Sequence, residues 1–383
     1  MGRSGKKIDD IPGSSDRYRT SIIMRTLLSN AIKYLDRELD PGIPEDSGQS
    51  VACDDSDTML LMTGGKPVPK PEILIIGCGG TGNSVINRLF HMGFSGPRTM
   101  VVDHDKRTFE HSHASVQFFL KHSYFPMESL GVLEGHPDIS AAVTENAYSD
   151  LEKKVGTPDL CIIVAGMSGN AGTGSGPVIA RVAKSHGSVV TAFVTLPSKL
   201  EKTRYGLAQK GLEELLQIAD SVYVLDLNYL IKIVSRDIPL KYVYSTADQI
   251  LSEVVRNLYD RVCIPSMINL DFSDLVQILA KGGYGTFLLG ETQEPNFVEG
   301  VYRDYLNNRL KDIPFSDMIG CIMFIEGHYA GLYYSEQIAT GICYDLDTRA
   351  EVIWGTQEDH SIPEGEVRVF ALISTGKKSV DKN

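Results

Sequence analysis

Leu160-Cys161-Ile162-Ile163-Val164-Ala165-Gly166-Met167-Ser168-Gly169-Asn170-Ala171-Gly172-Thr173-Gly174-Ser175-Gly176-Pro177 is the stretch on which the fold turns. It opens with five apolar residues in a row, as a strand buried on both faces of a parallel sheet requires. A glycine-rich loop follows and runs into a helix from about Pro177. Glycines let the backbone approach phosphates, and a helix N-terminus offers free N–H groups and positive dipole. Upstream, Ile73-Leu74-Ile75-Ile76 is another fully apolar run, followed by Gly77-Cys78-Gly79-Gly80-Thr81-Gly82, a formal G-x-G-x-x-G. A second cradle has no role in a single-site dinucleotide domain; it suits a triphosphate held between two loops.

Outward from these loops, strand and helix alternate. Apolar runs at 100–102, 189–194 and 222–225 read as further strands. Helices follow the first strand and fall near 140–153, from about 177 and over 203–218. The pattern predicts an α/β fold with a doubly wound parallel sheet and ligands at the strand C-terminal ends. A long central helix is expected over about 240–262. Apolar runs at 319–325, 351–354 and 367–373 predict a second, mixed α/β domain. The domain plan is an N-terminal extension (1–70), a nucleotide-binding domain (71–238), the central helix and the loop after it (239–284), a C-terminal domain (285–376) and a short tail (377–383).

Residues 1–14 are polar and read as disordered. Over 16–39, Ile23, Leu27, Leu28, Ala31, Ile32 and Leu35 share one helical face, with Arg17, Arg19, Arg25, Lys33 and Arg37 elsewhere. Two readings stand open: an amphipathic membrane-surface helix, or a helix docked on the main domain. Residues 38–65 hold no Lys or Arg and read as an acidic linker. The 383 residues are 42% hydrophobic and 22% charged, the balance of a soluble globular protein. No apolar run reaches the roughly 18 residues of a membrane span. Acidic residues outnumber basic ones 49 to 37, which argues against a nucleic-acid partner. The six cysteines form no C-x-x-C pair, so neither a disulfide framework nor a zinc site is expected. With no signal peptide at the start, a cytoplasmic location is expected.

The first loop alone fits NAD enzymes, ThiF-like adenylating enzymes and the FtsZ/tubulin GTPases, with Asp103 about where a ribose-binding acid stands; with Asp103-His104-Asp105 it resembles the adenylating enzymes nearly as well as the others. The second loop resembles the tubulin signature of FtsZ, G-G-G-T-G-T-G followed by small residues and Pro-Val. Met267-Ile268-Asn269-Leu270-Asp271-Phe272-Ser273-Asp274, after Pro265, is similar to the FtsZ synergy loop, N-x-D-x-x-D. Val352-Ile353-Trp354-Gly355 and Gly365-Glu366-Val367-Arg368-Val369 resemble the closing strands of the FtsZ C-terminal domain. With every motif in order over 72–376, the chain is identified as a divergent prokaryotic FtsZ-like member of the tubulin/FtsZ family.

The resemblance implies roles. Gly79, Gly80, Thr81 and Asn83 would line the α/β-phosphates, with Asp105 nearby. Gly169, Asn170, Ala171, Gly172, Thr173 and Gly174 would wrap the remainder, and Glu201 would touch ribose. The family's Arg four residues beyond that Glu is Tyr205 here, with Arg204 beside it. Tyr244 would stack on guanine. Asp248 stands where the resemblance places an Asn, and a carboxylate accepts from both guanine N1–H and the exocyclic amine while repelling adenine N1. Asp271 and Asp274, with Asn269, would complete catalysis on a neighbouring protomer, because two carboxylates repel a nucleotide unless assembly brings them to it. Alternatively, Asp271 and Asp274 simply cap the following helix.

Departures fall in the loops and most of all at the ends. Ser168, Asn170 and Ala171 replace the usual Gly, Gly and Thr; losing the Thr hydroxyl removes a phosphate hydrogen bond worth about 1–3 kcal/mol if charge-assisted. Leu133-Glu134-Gly135-His136-Pro137 puts a carboxylate where the family has Gly and Ala. The expected function is a GTP-binding cytoskeletal protein that self-assembles head to tail and hydrolyses GTP on assembly. GTP/GDP and Mg2+ are the expected ligands, with the metal held through the phosphates rather than by a protein site. Expected partners are further copies and other FtsZ family members, with membrane contact through 16–39 on the first reading of that helix. The alternatives are a non-hydrolysing regulatory FtsZ paralogue, which Ala171 and Glu134 favour, and a ThiF-like ATP-dependent adenylating enzyme.

Overall fold

A computed structural model describes residues 22–39, 61–63, 66–68, 71–121, 124, 136–234, 238–263, 270–293, 299–301, 303–304, 310, 314, 317–328, 332–344, 346, 349–360 and 362–377. In chain order, α1 (Ile22–Leu39) precedes β1 (Leu61–Thr63) and β2 (Lys66–Val68), a short antiparallel pair. The nucleotide-side elements are β3 (Ile73–Cys78), α2 (Gly79–His91), β4 (Arg98–Asp103), α3 (Arg107–Glu110), β5 (Val116–Phe119), α4 (Pro137–Asn146), α5 (Tyr148–Val155) and β6 (Leu160–Gly166). A π-helical turn (Ala171–Ser175) leads into α6 (Gly176–Ser185), then β7 (Val189–Leu196), α7 (Lys202–Ile218), β8 (Ser221–Asp226) and α8 (Leu227–Val234). The remainder is α9 (Leu240–Cys263), α10 (Phe272–Lys281), β9 (Gly283–Thr292), β10 (Gly320–Gly327), α11 (Leu332–Cys343), β11 (Glu351–Glu358) and β12 (Val367–Ser374).

These strands form one ten-stranded sheet in the order β11-β10-β12-β9-β8-β7-β6-β3-β4-β5. From β5 to β9 every neighbouring pair is parallel, and β12 runs antiparallel between β9 and β10. The doubly wound α/β class expected from the alternating pattern is the observed one. Strands β10, β11 and β12, over the apolar runs expected at 319–325, 351–354 and 367–373, belong to this same sheet. They continue the same sheet through β9, which pairs β8 from Ser221↔Gly283 to Tyr223↔Gly285.

Strand alternation divides the core. Leu74, Ile76 and Cys78 face one apolar layer with Ile163, Ile179 and Leu215; Ile73 and Ile75 face the other, with Val85, Ile250 and Leu258. That second layer includes α1: Ile23, Met24, Leu27, Leu28, Ala31 and Ile32 are all buried, and α1 packs along α9 and onto β9. The amphipathic face identified in the sequence is thus covered by the chain itself. This corrects the membrane-surface reading of α1, whose apolar stripe is used in the core. No described helix is long and apolar enough to cross a membrane.

Three local differences have physical causes. The single helix expected near 140–153 breaks at Ala147 into α4 and α5. Strand β9 was not anticipated, because its opening Gly283-Tyr284-Gly285 lacks an apolar run, yet all ten of its residues are buried. The stretch read as a linker contains β1, and its partner β2 lies just beyond it. The portions 16–21, 40–60 and 133–135, and Asn269, lie outside the described residues.

Candidate functional site

The site stands at the C-terminal ends of the parallel strands, where β3 and β6 each release a glycine loop into a helix. Gly77 and Gly82 close the first loop on itself: a Cβ on Gly82 would lie 2.5 Å from the Gly77 backbone and 2.7 Å from Val164 O. Gly79 adopts φ 72°, which a side chain would strain, and its Cβ position is 3.4 Å from Gly172 N. The two loops therefore touch, Gly79 against Ala171 and Gly172. Gly80 and Gly169 differ from their neighbours, since a Cβ on either would meet no atom within 4 Å.

The helix ends behind these loops are bare. Neither α2, the π-helical turn nor α6 has a side-chain cap on its N-terminus or an acidic residue in its first turn. The positive dipole ends of α2 and of the π-helical turn thus converge beside open space at Gly80 and Gly169, an arrangement that receives an anion. The polyphosphate of a nucleotide fits this cradle. Gly174 is in addition required by packing: a Cβ there would stand 1.9 Å from Pro137 O at the start of α4. Thr173 is likewise buried against Gly211 of α7, and its N–H donates to Gly169 O at 3.0 Å. Asn170 is half-buried at the entrance to the turn, and Thr81 Oγ1 packs toward Gly166.

The acids after β4 are engaged locally. Asp103 is buried and accepts from His104 N at 2.7 Å and from Thr108 Oγ1 at 2.7 Å. Asp105 pairs with Arg107 at 2.7 Å, and hydrogen bonds from that residue hold its carboxyl below the usual range. Asn83 donates to Thr108 O at 2.8 Å, fastening α2 to α3, while its Oδ1 is buried without a hydrogen-bond partner among the described residues.

The expected base and ribose residues do meet. Tyr244 Oη donates to Glu201 Oε1 at 3.3 Å, and Arg204 pairs with Glu201 Oε2 at 3.0 Å. Burial, then the Glu201 charge, pushes the Tyr244 phenol up. Asp248, one turn along α9, accepts from Ser84 Oγ at 2.7 Å. Sequence reasoning missed Ser84, and also Arg88 beneath it, which bonds Ser245 and Gln249. The available signal was Arg88 itself, a charge among Val85, Leu89 and Met92 on the inward stripe of α2.

Asp271 and Asp274 stand elsewhere. Asp271 caps α10, accepting from Ser273 N at 2.8 Å and Ser273 Oγ at 2.7 Å, and these bonds hold its carboxyl below the usual range. Asp274 is exposed in the first turn. The chain reaches them from the far end of α9, where Leu270 N donates to Arg261 O. Arg261 lies thirteen residues beyond Asp248 on the same helix, about 20 Å along the axis. Among the described residues, no three His, Cys, Asp or Glu side chains converge as a metal site would.

Residues 72–235 match the family model described as Tubulin/FtsZ family, GTPase domain. The chain is 36% identical over 310 residues to cell division protein FtsZ 2 of Halobacterium salinarum, covering 81% of this chain and 77% of that one. It is 34% identical to FtsZ 2 of Methanocaldococcus jannaschii, with 80% of each covered. Among solved structures, an empty FtsZ dimer from M. jannaschii superposes with a TM-score of 0.74 at 29% identity, over 80% of this chain and 88% of that one. CetZ2 of Haloferax volcanii, at 16% identity and a TM-score of 0.63, shares the fold. Paired glycine loops, a continuous sheet and sustained identity over most of the chain agree: this protein belongs to the tubulin/FtsZ family.

Proposed function

We propose that this protein binds GTP between the β3–α2 and β6–α6 loops and assembles head to tail with further copies in the cytoplasm. Hydrolysis is completed at each seam by Asp271 and Asp274 of the next protomer. The observation that carries the reading is the separation along α9. Tyr244 and Asp248 stand at its start, and the two carboxylates are anchored beyond its end, so no single chain joins base pocket and carboxylates. A head-to-tail contact joins them, and because such a contact does not close on itself it propagates a filament. Leu200, next to Glu201, is 90% exposed and gives the nucleotide end an apolar contact point.

In this reading the bare N-termini of α2 and of the π-helical turn hold the phosphates, Glu201 and Arg204 flank the ribose, and Tyr244 and Asp248 read the base. Mg2+ would be held by phosphate oxygens beside Gly80 and would supply charge neutralisation there. Asp271 is well suited to orient water: its carboxyl stays ionised through the Ser273 bonds while remaining exposed. Relatives named cell division proteins support a role in division, cell shape or membrane remodelling, and the presence of paralogues in one organism supports FtsZ family members as co-assembly partners. Residues 71–238, 239–284 and 285–376 serve as nucleotide part, central helix with its loop, and C-terminal part.

The test is phosphate release from GTP against protein concentration, for the native chain and Asp271→Ala. A rate per protein that is near zero below a threshold, rises above it and vanishes in the variant supports the reading. A constant rate unaffected by the substitution overturns it. Tight GTP binding with no hydrolysis at any concentration supports the regulatory paralogue, for which Ala171 beside Gly79 is the observation in favour.

A further inference from the structure

Behind the base pocket, three helices meet on one buried cation. Arg88 of α2 is 1% exposed. Its Nη1 donates to Gln249 Oε1 at 2.7 Å and its Nη2 to Ser245 Oγ at 2.9 Å, both on the first turns of α9. Its guanidinium carbon lies 3.9 Å from the centre of the Tyr34 ring of α1. Ser245 in turn donates to Ala31 O of α1 at 3.1 Å, and Gln249 Nε2 donates to Glu253 at 2.8 Å. Ser245 and Gln249 immediately follow Tyr244 and Asp248.

We propose that Tyr34 and Arg88 are positioning residues for base recognition, so that the N-terminal helix α1 is a working part of the nucleotide site. This rests on the reading of Tyr244 and Asp248 as the base pocket. The physical reason is that α2 carries the phosphate loop at its N-terminus, while the first turns of α9 carry the base readers. A nucleotide spans both, so their relative placement decides whether a bound base meets its contacts. Two side-chain bonds from one planar guanidinium fix the rotation of α9 about its axis as well as its distance from α2, which a lysine point charge does not do. The ring of Tyr34 covers the open face of that guanidinium, where a cation–π contact out of water is strongest. One turn toward the loop, Ser84 fastens Asp248 to the same face of α2. Helix α1 is itself anchored at its other end, where Ile23 N meets Asp304 and Thr26 meets Glu291 of β9 at 3.2 Å. It thus straps the C-terminal strands to the base pocket.

The experiment is equilibrium binding of GTP and of inosine triphosphate to the full chain, with melting curves in nucleotide-free buffer. Inosine lacks the exocyclic amine, so the GTP/ITP affinity ratio reads the base edge and ignores the phosphates. Tyr34→Leu and Arg88→Met are expected to weaken GTP by about tenfold, weaken ITP by less, because ITP has no exocyclic amine contact to lose, and bring the ratio toward one. Tyr34→Phe, which keeps the ring face, retains the native ratio. Equal losses for both nucleotides in Tyr34→Leu would reduce the role to general stability and overturn the inference, and Tyr34→Leu serves even if Arg88→Met does not fold. Asp248→Ala runs alongside. If it leaves the ratio unchanged, the base-pocket reading itself fails; if it collapses the ratio while Tyr34→Leu does not, the positioning inference alone fails.

Discussion

Replacing Gly80 by alanine separates a glycine kept for a ligand from glycines kept for packing. Gly80 lies in the first turn of α2, its φ is outside the left-handed region, and a Cβ there meets nothing within 4 Å. Without ligand, the substitution removes unfolded-state freedom at no steric cost, a stabilisation of about 0.4–1 kcal/mol that raises the melting temperature by about 1–3 °C. The added methyl stands where a phosphate would approach the bare N–H groups. Losing one charge-assisted bond there weakens GTP binding by about 10–100-fold. Gly174→Ala is the control: its Cβ would sit 1.9 Å from Pro137 O, and forcing α4 away costs about 1–3 kcal/mol or more. The assay pairs melting curves of nucleotide-free protein with titration by a fluorescent GDP. The reasoning is refuted if Gly80→Ala melts as low as Gly174→Ala, or if it binds nucleotide as tightly as the native chain.

The remaining expectations follow from side chains whose contacts are fixed. Asp271→Asn keeps an acceptor for Ser273 N, so its urea midpoint matches the native protein, whereas Asp271→Ala loses a cap worth about 0.5–2 kcal/mol; both lose GTP turnover. Because the folded carboxyl of Asp271 titrates below the usual range, turnover measured over about pH 5 to 8 carries no inflection from it. Glu291 is 1% exposed, and burial raises its pKa despite Arg368 at 3.1 Å. Its ionised form is thus disfavoured by folding, and the stability contributed by its proton is present at low pH and lost as pH rises through the raised value. Glu291→Gln therefore melts above the native chain at pH 7.5, with the gap closing as pH falls toward the ordinary carboxylate range. Arg261 is fully buried and bonds Asn257 at 3.0 Å, Glu326 at 3.1 Å and Gln357. Arg261→Met strands the Glu326 carboxylate and lowers unfolding free energy by about 3–5 kcal/mol in urea titration.

Much of this was legible wherever composition tracks burial. The runs at 73–76 and 160–164 are apolar without alternation because helices cover both faces of those strands, and the two glycine loops stand out at the strand C-terminal ends. What stayed hidden depends on contacts between distant segments. Strand β9 begins with two glycines because Lys377 O and Tyr223 crowd its backbone, a constraint invisible until the closing strand is in place. The fate of the α1 stripe was undecidable from its own pattern, since an amphipathic face suits a lipid surface and a protein groove equally. Only the matching apolar face of α9 decides it. Gly174 resembled a phosphate glycine by its neighbours in sequence, yet α4, folded against it, is what excludes a side chain there. Ser84 and Arg88 were missed because nothing local names their partners on α9.

In the proposed filament, nucleotide and catalytic carboxylates come from different protomers. Mixing two variants tests it directly, at a GTP concentration that fills the native loop but leaves Gly80→Ala largely empty: Gly80→Ala, impaired in nucleotide binding, and Asp271→Asn, impaired in catalysis, with co-sedimentation confirming that they assemble together. In a randomly mixed head-to-tail filament, an intact loop meets an intact carboxylate pair at about a quarter of seams, so an equal mixture is expected to recover about a quarter of the native GTP turnover. A mixture that co-assembles yet stays inactive, or an Asp271→Asn protein that hydrolyses GTP alone, would contradict a site shared between neighbours.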